Sequence, residues 1–435
     1  QREGSEHEKI LFCYPPTISI GEQTNYVGLT EGYILCSKQF SPNQPCEAIH
    51  TQKTTIGIYS PENDIYMLLS LNNPAGPLGK DGKREYYEDE IDDLLVQKLL
   101  QQTYQTWLLF NGTMNSTILR TGNLGGYEYL RKRLDSFLKP YVKMMPLDQL
   151  DLFNALGGIK FLPIDKNIYL TIFNYVNSAE VSFQTTLSTF RFGVLLYKDN
   201  LILSSMDQNE TRLLYNYLVN QVKVGQDSAY CLPLMASNVD NENQWYTKGT
   251  SRRTGFLNTP DNVSKRDLPI IYLENGTKPT YMIIYEQKDT ISLFLIDPSE
   301  LDQLLLKELS SCLVSNFEFI NPALEDGYNK KTAFDEQYKY IYFNQMNLAI
   351  KASIKSKGAE LTKETIKMLN EIHSDFEKKL SSEVTIRTQS DRWIVAKKVD
   401  YREFYVIFDN KNINILEVTE EVKNLTSKYF KIDHV

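Results

Sequence analysis

Apolar residues along this chain follow two rhythms, a period of two and a period near 3.6, and the switches between them mark out modules. The last hundred residues are the clearest. Runs over 338–344 and 346–352 read as a strand hairpin, with Met346, Leu348 and Ile350 alternating. Thr362 then offers an N-cap, and Ile366, Leu369, Ile372 and Phe376 share one face of a helix. Three strand-like runs follow at 384–389, 392–398 and 403–408. They are separated by Ser390-Asp391 and Asp400-Tyr401, short polar breaks suited to hairpins. A helix over 419–430, with Val422, Leu425 and Tyr429 on one side, closes the unit in the order ββαβββα.

The same order recurs upstream. Runs at 190–197 and 201–205 flank Lys198-Asp199-Asn200, and a helix after Asp207 keeps Leu213, Leu214, Tyr217 and Leu218 in phase. Strands are expected near 255–257, over 270–273 and over 281–296, the last broken at 287–289. A helix after Pro298 then carries Leu301, Leu304, Leu305, Leu309 and Cys312. The first third is less regular. It predicts a strand at 9–14, a helix over 26–40 despite Gly28 and Gly32, and strands at 50–59 and 65–71. Helices follow over 88–110 and 127–139, the second stopped by Pro140. The reading is an α+β protein of three modules, 1–140, 189–325 and 335–435. Each is an antiparallel sheet with helices packed on it, and a connector over 141–188 is punctuated by Gly157-Gly158 and Pro163.

With 435 residues, 42% of them hydrophobic, the chain can bury three ordinary cores. Its 47 basic residues against 55 acidic ones give a net charge of −8, which argues against nucleic acid as a partner. The charge is uneven. Residues 329–435 hold 19 basic and 16 acidic residues, a local +3 against −11 elsewhere. That makes Lys351, Lys355, Lys357, Lys363 and Lys367 candidates for facing an anionic, phosphoinositide-bearing membrane surface, with a solvated helix face as the alternative. The five cysteines (Cys13, Cys36, Cys46, Cys231, Cys312) form no CxxC pair and read as free thiols of a reducing compartment. No apolar run approaches membrane-spanning length and no hydrophobic signal segment opens the chain, so a cytoplasmic protein is expected.

Catalytic chemistry is hard to find. After the run at 65–71, Asn72 to Lys80 looks briefly like a phosphate loop. Pro74 stands where the first glycine belongs, however, and Asp81 where Ser or Thr should hold magnesium. His7, His50, His373 and His434 form no metal-ligand spacing, and His373 with Glu371 and Asp375 reads as a solvated polar stripe on a helix. There is no GxSxG elbow, and Trp107, Trp245 and Trp393 read as core or interface residues. No metal, cofactor or covalent catalysis is expected.

Several blocks are similar to the calcium–caffeine–zinc sensitivity (Ccz) family. They are Lys9-Ile10-Leu11-Phe12 with Tyr14-Pro15, His50-Thr51-Gln52-Lys53, and Leu109-Phe110-Asn111-Gly112-Thr113. Gly157-Gly158-Ile159 with Phe161, Pro163 and Asp165 follows, then Ile341-Tyr342-Phe343-Asn344 with Met346-Asn347-Leu348-Ala349. Ser390-Asp391 with Trp393, Lys397-Lys398, and Glu417-Val418 with Glu420-Glu421-Val422 complete an ordered set spanning the chain. The set resembles animal members most, although a strand that the family carries before Lys9 is missing.

The resemblance implies three longin domains and an obligate heterodimer with the monensin-sensitivity (Mon) subunit. It also implies exchange activity towards the Rab-seven-type GTPase of late endosomes and lysosomes, a third regulatory scaffold subunit in animals, and peripheral recruitment to that membrane. Such a subunit needs an interface and no catalytic acid or base. It places the GTPase on the first module. There the candidates are Ser37, Lys38 and Phe40 near the end of the predicted helix and His50, Thr51, Gln52 and Lys53 on the strand after it. Burying that polar run in a core would be costly, so the strand is expected to have an exposed edge or face. The alternatives are a longin-type adaptor or tether without exchange activity, and an enzyme with dispersed catalytic residues.

Overall fold

The computed structural model describes residues 6–77, 84–87, 91–120, 125–145, 156–162, 164–184, 190–219, 254–256, 270–297, 303–329, 338–354, 361–409 and 413–427. These fall into two compact units. One holds residues up to 147 together with Ile270–Pro279, and the other holds the rest.

In the first unit, α1 (Ile20–Phe40) opens on a capping box between Ser19 and Glu22. Strands β1 (Ala48–His50), β2 (Thr54–Glu62) and β3 (Ile65–Asn72) form an antiparallel sheet in that order. Helix α2 (Asp93–Asn111) lies on one face of it. Gly57 allows that approach, because a Cβ there would meet Val96 Cγ1 at 2.3 Å. Ile56 and Ile58 alternate to the opposite face and cluster with Ile49 against Ile34 of α1. Helices α3 (Met114–Arg120) and α4 (Gly126–Met144) follow, with Trp107 of α2 edge-on to Phe137 at 5.5 Å.

Four expectations for this region are corrected. Residues 9–14 form no strand; Glu6–Lys9 is a short 3-10 turn, and Arg131 Nε holds the carbonyl of Ile10 at 3.0 Å in place of a sheet partner. The predicted strand 50–59 is a hairpin, with 51–53 as its turn. Pro140 does not stop α4, whose last turn is held by Tyr141 stacked on Phe137 at 5.7 Å. Residues Ile270–Pro279, β8 (Ile270–Tyr272) included, belong with the first unit, where Tyr272 and Gly276 lie against Gly112 and Leu108 at the end of α2.

The second unit contains two sheets. Strands β5 (Arg191–Tyr197), β6 (Asn200–Ser204), β7 (Thr254–Phe256), β9 (Lys278–Gln287) and β10 (Thr290–Ile296) run in the order β6-β5-β10-β9-β7. Helices α6 (Gln208–Tyr217) and α7 (Gln303–Asn329) flank that sheet in sequence. The other sheet has β11 (Lys339–Asn344), β12 (Ala349–Ala352), β13 (Glu383–Arg387), β14 (Trp393–Val399) and β15 (Arg402–Phe408) in the order β13-β14-β15-β11-β12. Helix α8 (Lys363–Glu377), N-capped by Thr362, covers one face through Leu369, Ile372 and Phe376. Helix α9 (Ile415–Leu425) covers the other through Val418, Val422 and Leu425. It starts earlier than the sequence suggested because Asn414 and Glu417 make a capping box. Tyr429 lies outside the described residues. Both sheets read 2-1-5-4-3 when strands are counted within their own modules, so the expected ββαβββα order stands in an α+β fold.

The connector carries structure of its own. Its strand β4 (Ile159–Lys160) pairs in parallel with β12, and the next residue, Phe161, bridges to Leu201 of β6. Helix α5 (Lys166–Gln184) follows. An open groove of about 630 Å³ borders this junction, walled by Ile159, Leu162, Tyr169, Leu203 and Met346.

Candidate functional site

The seven first-module candidates divide between two places. Ser37, Lys38 and Phe40 sit in the last turn of α1. The Ser37 hydroxyl donates to the Ile34 carbonyl, and Phe40 is 85% exposed. His50 ends β1, where Nε2 lies 3.0 Å from Asp93 in the first turn of α2 and Nδ1 3.3 Å from the Thr55 hydroxyl. Thr51, Gln52 and Lys53 form the turn that leads into β2.

That turn is stapled from below by Asn73, a buried residue just past β3. Its Nδ2 donates to the Thr51 and Gln52 carbonyls at 2.8 and 3.2 Å, its backbone N–H donates to Lys53 at 2.8 Å, and its Oδ1 accepts from Thr55 at 2.8 Å. Thr51 Oγ1 adds a bond to the Thr54 carbonyl at 2.9 Å. The result is a short polar turn whose Gln52 and Lys53 side chains face solvent on a fixed backbone. Asn73 was not singled out by sequence reasoning. It lies inside the run set aside as a failed phosphate loop, and its Asn-Asn-Pro setting was the available signal.

Helix α1 itself is unusual. Among its described residues only Thr30 is buried, while Ile20, Tyr26, Leu29, Tyr33, Leu35 and Phe40 are each at least 41% exposed. On the α1 face of the sheet, Leu68 and Tyr66 of β3 are also exposed. Large apolar surfaces of this kind mark interaction sites.

The lysine candidates do not form one surface. Lys351 lies on β12 opposite Tyr342, on the α9 side of the third sheet, with Nζ 5.8 Å from the Tyr340 ring centre. Lys367 is exposed on α8, which covers the other side. Lys363 begins α8, and Lys355 and Lys357 lie outside the described residues.

His373 is a correction to the solvated stripe. It is buried, and its Nδ1 sits 2.9 Å from Glu403 Oε2. Tyr405 donates to the same oxygen at 2.7 Å, while Lys398 and Gln345 each reach Oε1 at 3.0 Å. Burial raises the Glu403 pKa, but the bonds from His373, Tyr405 and Lys398 outweigh it and bring it down to about 2. His373, Glu377 and Glu403 present ligand atoms within 4.8 Å of one another, the spacing of a metal group. The Lys398 ammonium, 3.4 Å from Glu377 and 3.0 Å from Glu403, already supplies the positive charge there. Of the tryptophans, Trp107 is buried and Trp393 donates to the Ile413 carbonyl at 3.1 Å, both in packing roles. Trp245 lies outside the described residues.

A family profile described as the first Longin domain of INTU, CCZ1 and HPS4 matches residues 1–112, and one described as Intu longin-like domain 3 matches residues 334–425. A vacuolar fusion protein CCZ1 homolog from Dictyostelium discoideum is 61% identical over 432 residues, covering 99% of this chain and 94% of the relative. The chain belongs to the CCZ1 vacuolar fusion protein family. CCZ1 homologs from Xenopus laevis and Nematostella vectensis are 34% and 33% identical, again over 99% of the chain and 93% and 94% of the relatives. The Dictyostelium CCZ1 homolog thus stands nearer than these animal ones, which corrects the expected closeness to animal members. The longin fold that the resemblance implies is the fold the family profiles describe. Among the described residues no helix of this CCZ1-family chain is long and apolar enough to cross a membrane.

Proposed function

We propose that this chain acts in vacuole and lysosome fusion as the non-catalytic subunit of a heteromeric guanine nucleotide exchange factor. Its target is a late-endosomal Rab GTPase of the Rab-seven type, and the subunit is recruited peripherally to that membrane. The observation that carries the reading is α1, a long helix with one buried residue, beside the exposed Leu68 and Tyr66 of β3. A helix rich in exposed apolar residues beside the outer strand of a three-stranded sheet suits a second longin domain, that of a Mon-type subunit. The fixed turn at Thr51–Lys53 then offers the GTPase a rigid polar contact. A few hydrogen bonds to its mobile switch regions favour the nucleotide-free state, and linkage lowers nucleotide affinity.

The test is release of a labelled nucleotide from the Rab, with and without the Mon-type partner. The heterodimer accelerates release. Replacing Thr51, Gln52 and Lys53 by Ala slows it at least about fivefold, the loss of roughly one hydrogen bond, while the heterodimer stays intact. Unchanged release by that variant puts the GTPase contact elsewhere. A heterodimer that forms without accelerating release makes the chain an adaptor or tether.

A further inference from the structure

We propose that one end of the third module is a membrane-contacting surface, in which Met346, Leu380 and Tyr401 enter the headgroup region of a bilayer. The proposal does not depend on the exchange activity.

Three turns meet at this end: the β11–β12 turn at 345–348, the α8–β13 turn at 378–382 and the β14–β15 turn at 400–401. Backbone hydrogen bonds bind them together. The Gln345 N–H donates to the Tyr401 carbonyl at 2.7 Å, and the Lys398 N–H to the Ser382 carbonyl at 2.8 Å. Each turn then exposes one large apolar side chain: Met346, at the rim of the groove beside β4, is 68% exposed, Leu380 70% and Tyr401 58%. Turns ordinarily take Gly, Asn, Asp or Ser, and the positive φ positions here fall on Leu348, Lys379 and Asp400, so backbone geometry does not demand the apolar neighbours. One exposed apolar residue needs no explanation; three on adjoining turns do.

The turns rest on a rigid base. Gln345 Nε2 donates to Glu377 at 2.9 Å and to Glu403 at 3.0 Å, and Lys398 ties the end of α8 to the same carboxylates. Insertion therefore costs little ordering of the backbone. Lys378, Lys379, Lys397 and Arg402 surround the tips, partly offset by Asp375, Glu383 and Asp400. Lysine stems and a tyrosine ring each join an apolar body to a polar end, the composition favoured at a bilayer interface. With so modest a positive excess, anionic lipid strengthens the contact and apolar insertion holds it.

The experiment is co-sedimentation of the assembled protein with dioleoylphosphatidylcholine vesicles, with and without phosphatidylserine. Met346→Ser, Leu380→Ser and Tyr401→Ser together lower binding at least about tenfold on both compositions, with nucleotide release in vesicle-free solution unchanged. Lys378→Glu with Lys379→Glu weakens binding only where phosphatidylserine is present. Lys351→Glu with Lys367→Glu, on the two sides of the sheet, leaves binding as it was. A Leu380→Trp variant shifts its emission to the blue when vesicles are added. Unchanged binding by the triple serine variant overturns the proposal, as does an equal loss from the Lys351 and Lys367 pair. Tryptophan emission that ignores vesicles also overturns it, and emission already blue in their absence would mean that a protein covers the site.

Discussion

At the residue scale, Glu403 shows how a buried charge can be kept. Its two oxygens receive four donors, so the carboxylate is stabilised more by hydrogen bonds than it is penalised by burial. The folded pKa of about 2 lies below the ordinary carboxylate value of 4.5. The group therefore contributes its full stability above pH 4.5 and loses it as pH falls through 2. We expect Glu403→Gln to destabilise the third module by about 3 kcal/mol at neutral pH and to flatten its acid unfolding curve below pH 4.5. Circular dichroism along an acid titration measures both. Asn73 is the second case. Asn73→Ala removes the bonds to Thr51 and Gln52 while leaving their side chains in place, so nucleotide release should slow about as much as in the triple alanine variant. If release keeps its normal rate, the turn does not need its staple. Asn73 announced itself only through its Asn-Asn-Pro setting, and Glu403 not at all. His373 and Glu403 are thirty positions apart on a helix and a strand, and no spacing rule links such a pair.

At the element scale, local chemistry was legible wherever it was self-contained. Thr362 caps α8, Leu369, Ile372 and Phe376 bury as their spacing required, and the 390–391 and 400–401 breaks are turns. Ser19-Ile20-Gly21-Glu22 held a capping signal that would have started α1 six residues earlier than its apolar period did. Errors came where a distant partner decided. The stretch 9–14 looks like a strand, yet an α4 arginine takes its carbonyl. Strand β4 is too short to announce itself and exists because β12 offers an edge. Gly158, just before it, is where this can be tested. A Cβ there would fall 2.6 Å from Ile350 Cβ, so Gly158→Ala should push β4 off β12. Hydrogen exchange reads the result directly. The Ile159 amide, which donates to the Leu348 carbonyl at 2.7 Å, should lose protection while amides of β14 and β15 keep theirs.

At the scale of the whole molecule, the modular order was readable because the second and third modules repeat one grammar, whereas surfaces were not. In sequence, residues 26–40 read only as a helix; the fold shows that its apolar residues are uncovered. Leu29→Asp and Leu35→Asp change exposed positions, 47% and 65%. The isolated chain should keep its melting temperature while the proposed Mon-type partner dissociates in size-exclusion chromatography. Retained heterodimer would move the interface away from α1. The connector has a further consequence. Ile159 and Lys160 pair with β12, Phe161 bridges to β6, and the Tyr215 hydroxyl donates to Asp199 and accepts from the Lys160 N–H. A chain of three modules is therefore wired as two thermodynamic bodies. Scanning calorimetry should record two heat-absorption peaks, with the second and third modules sharing one enthalpy, and Gly158→Ala should split that shared peak in two.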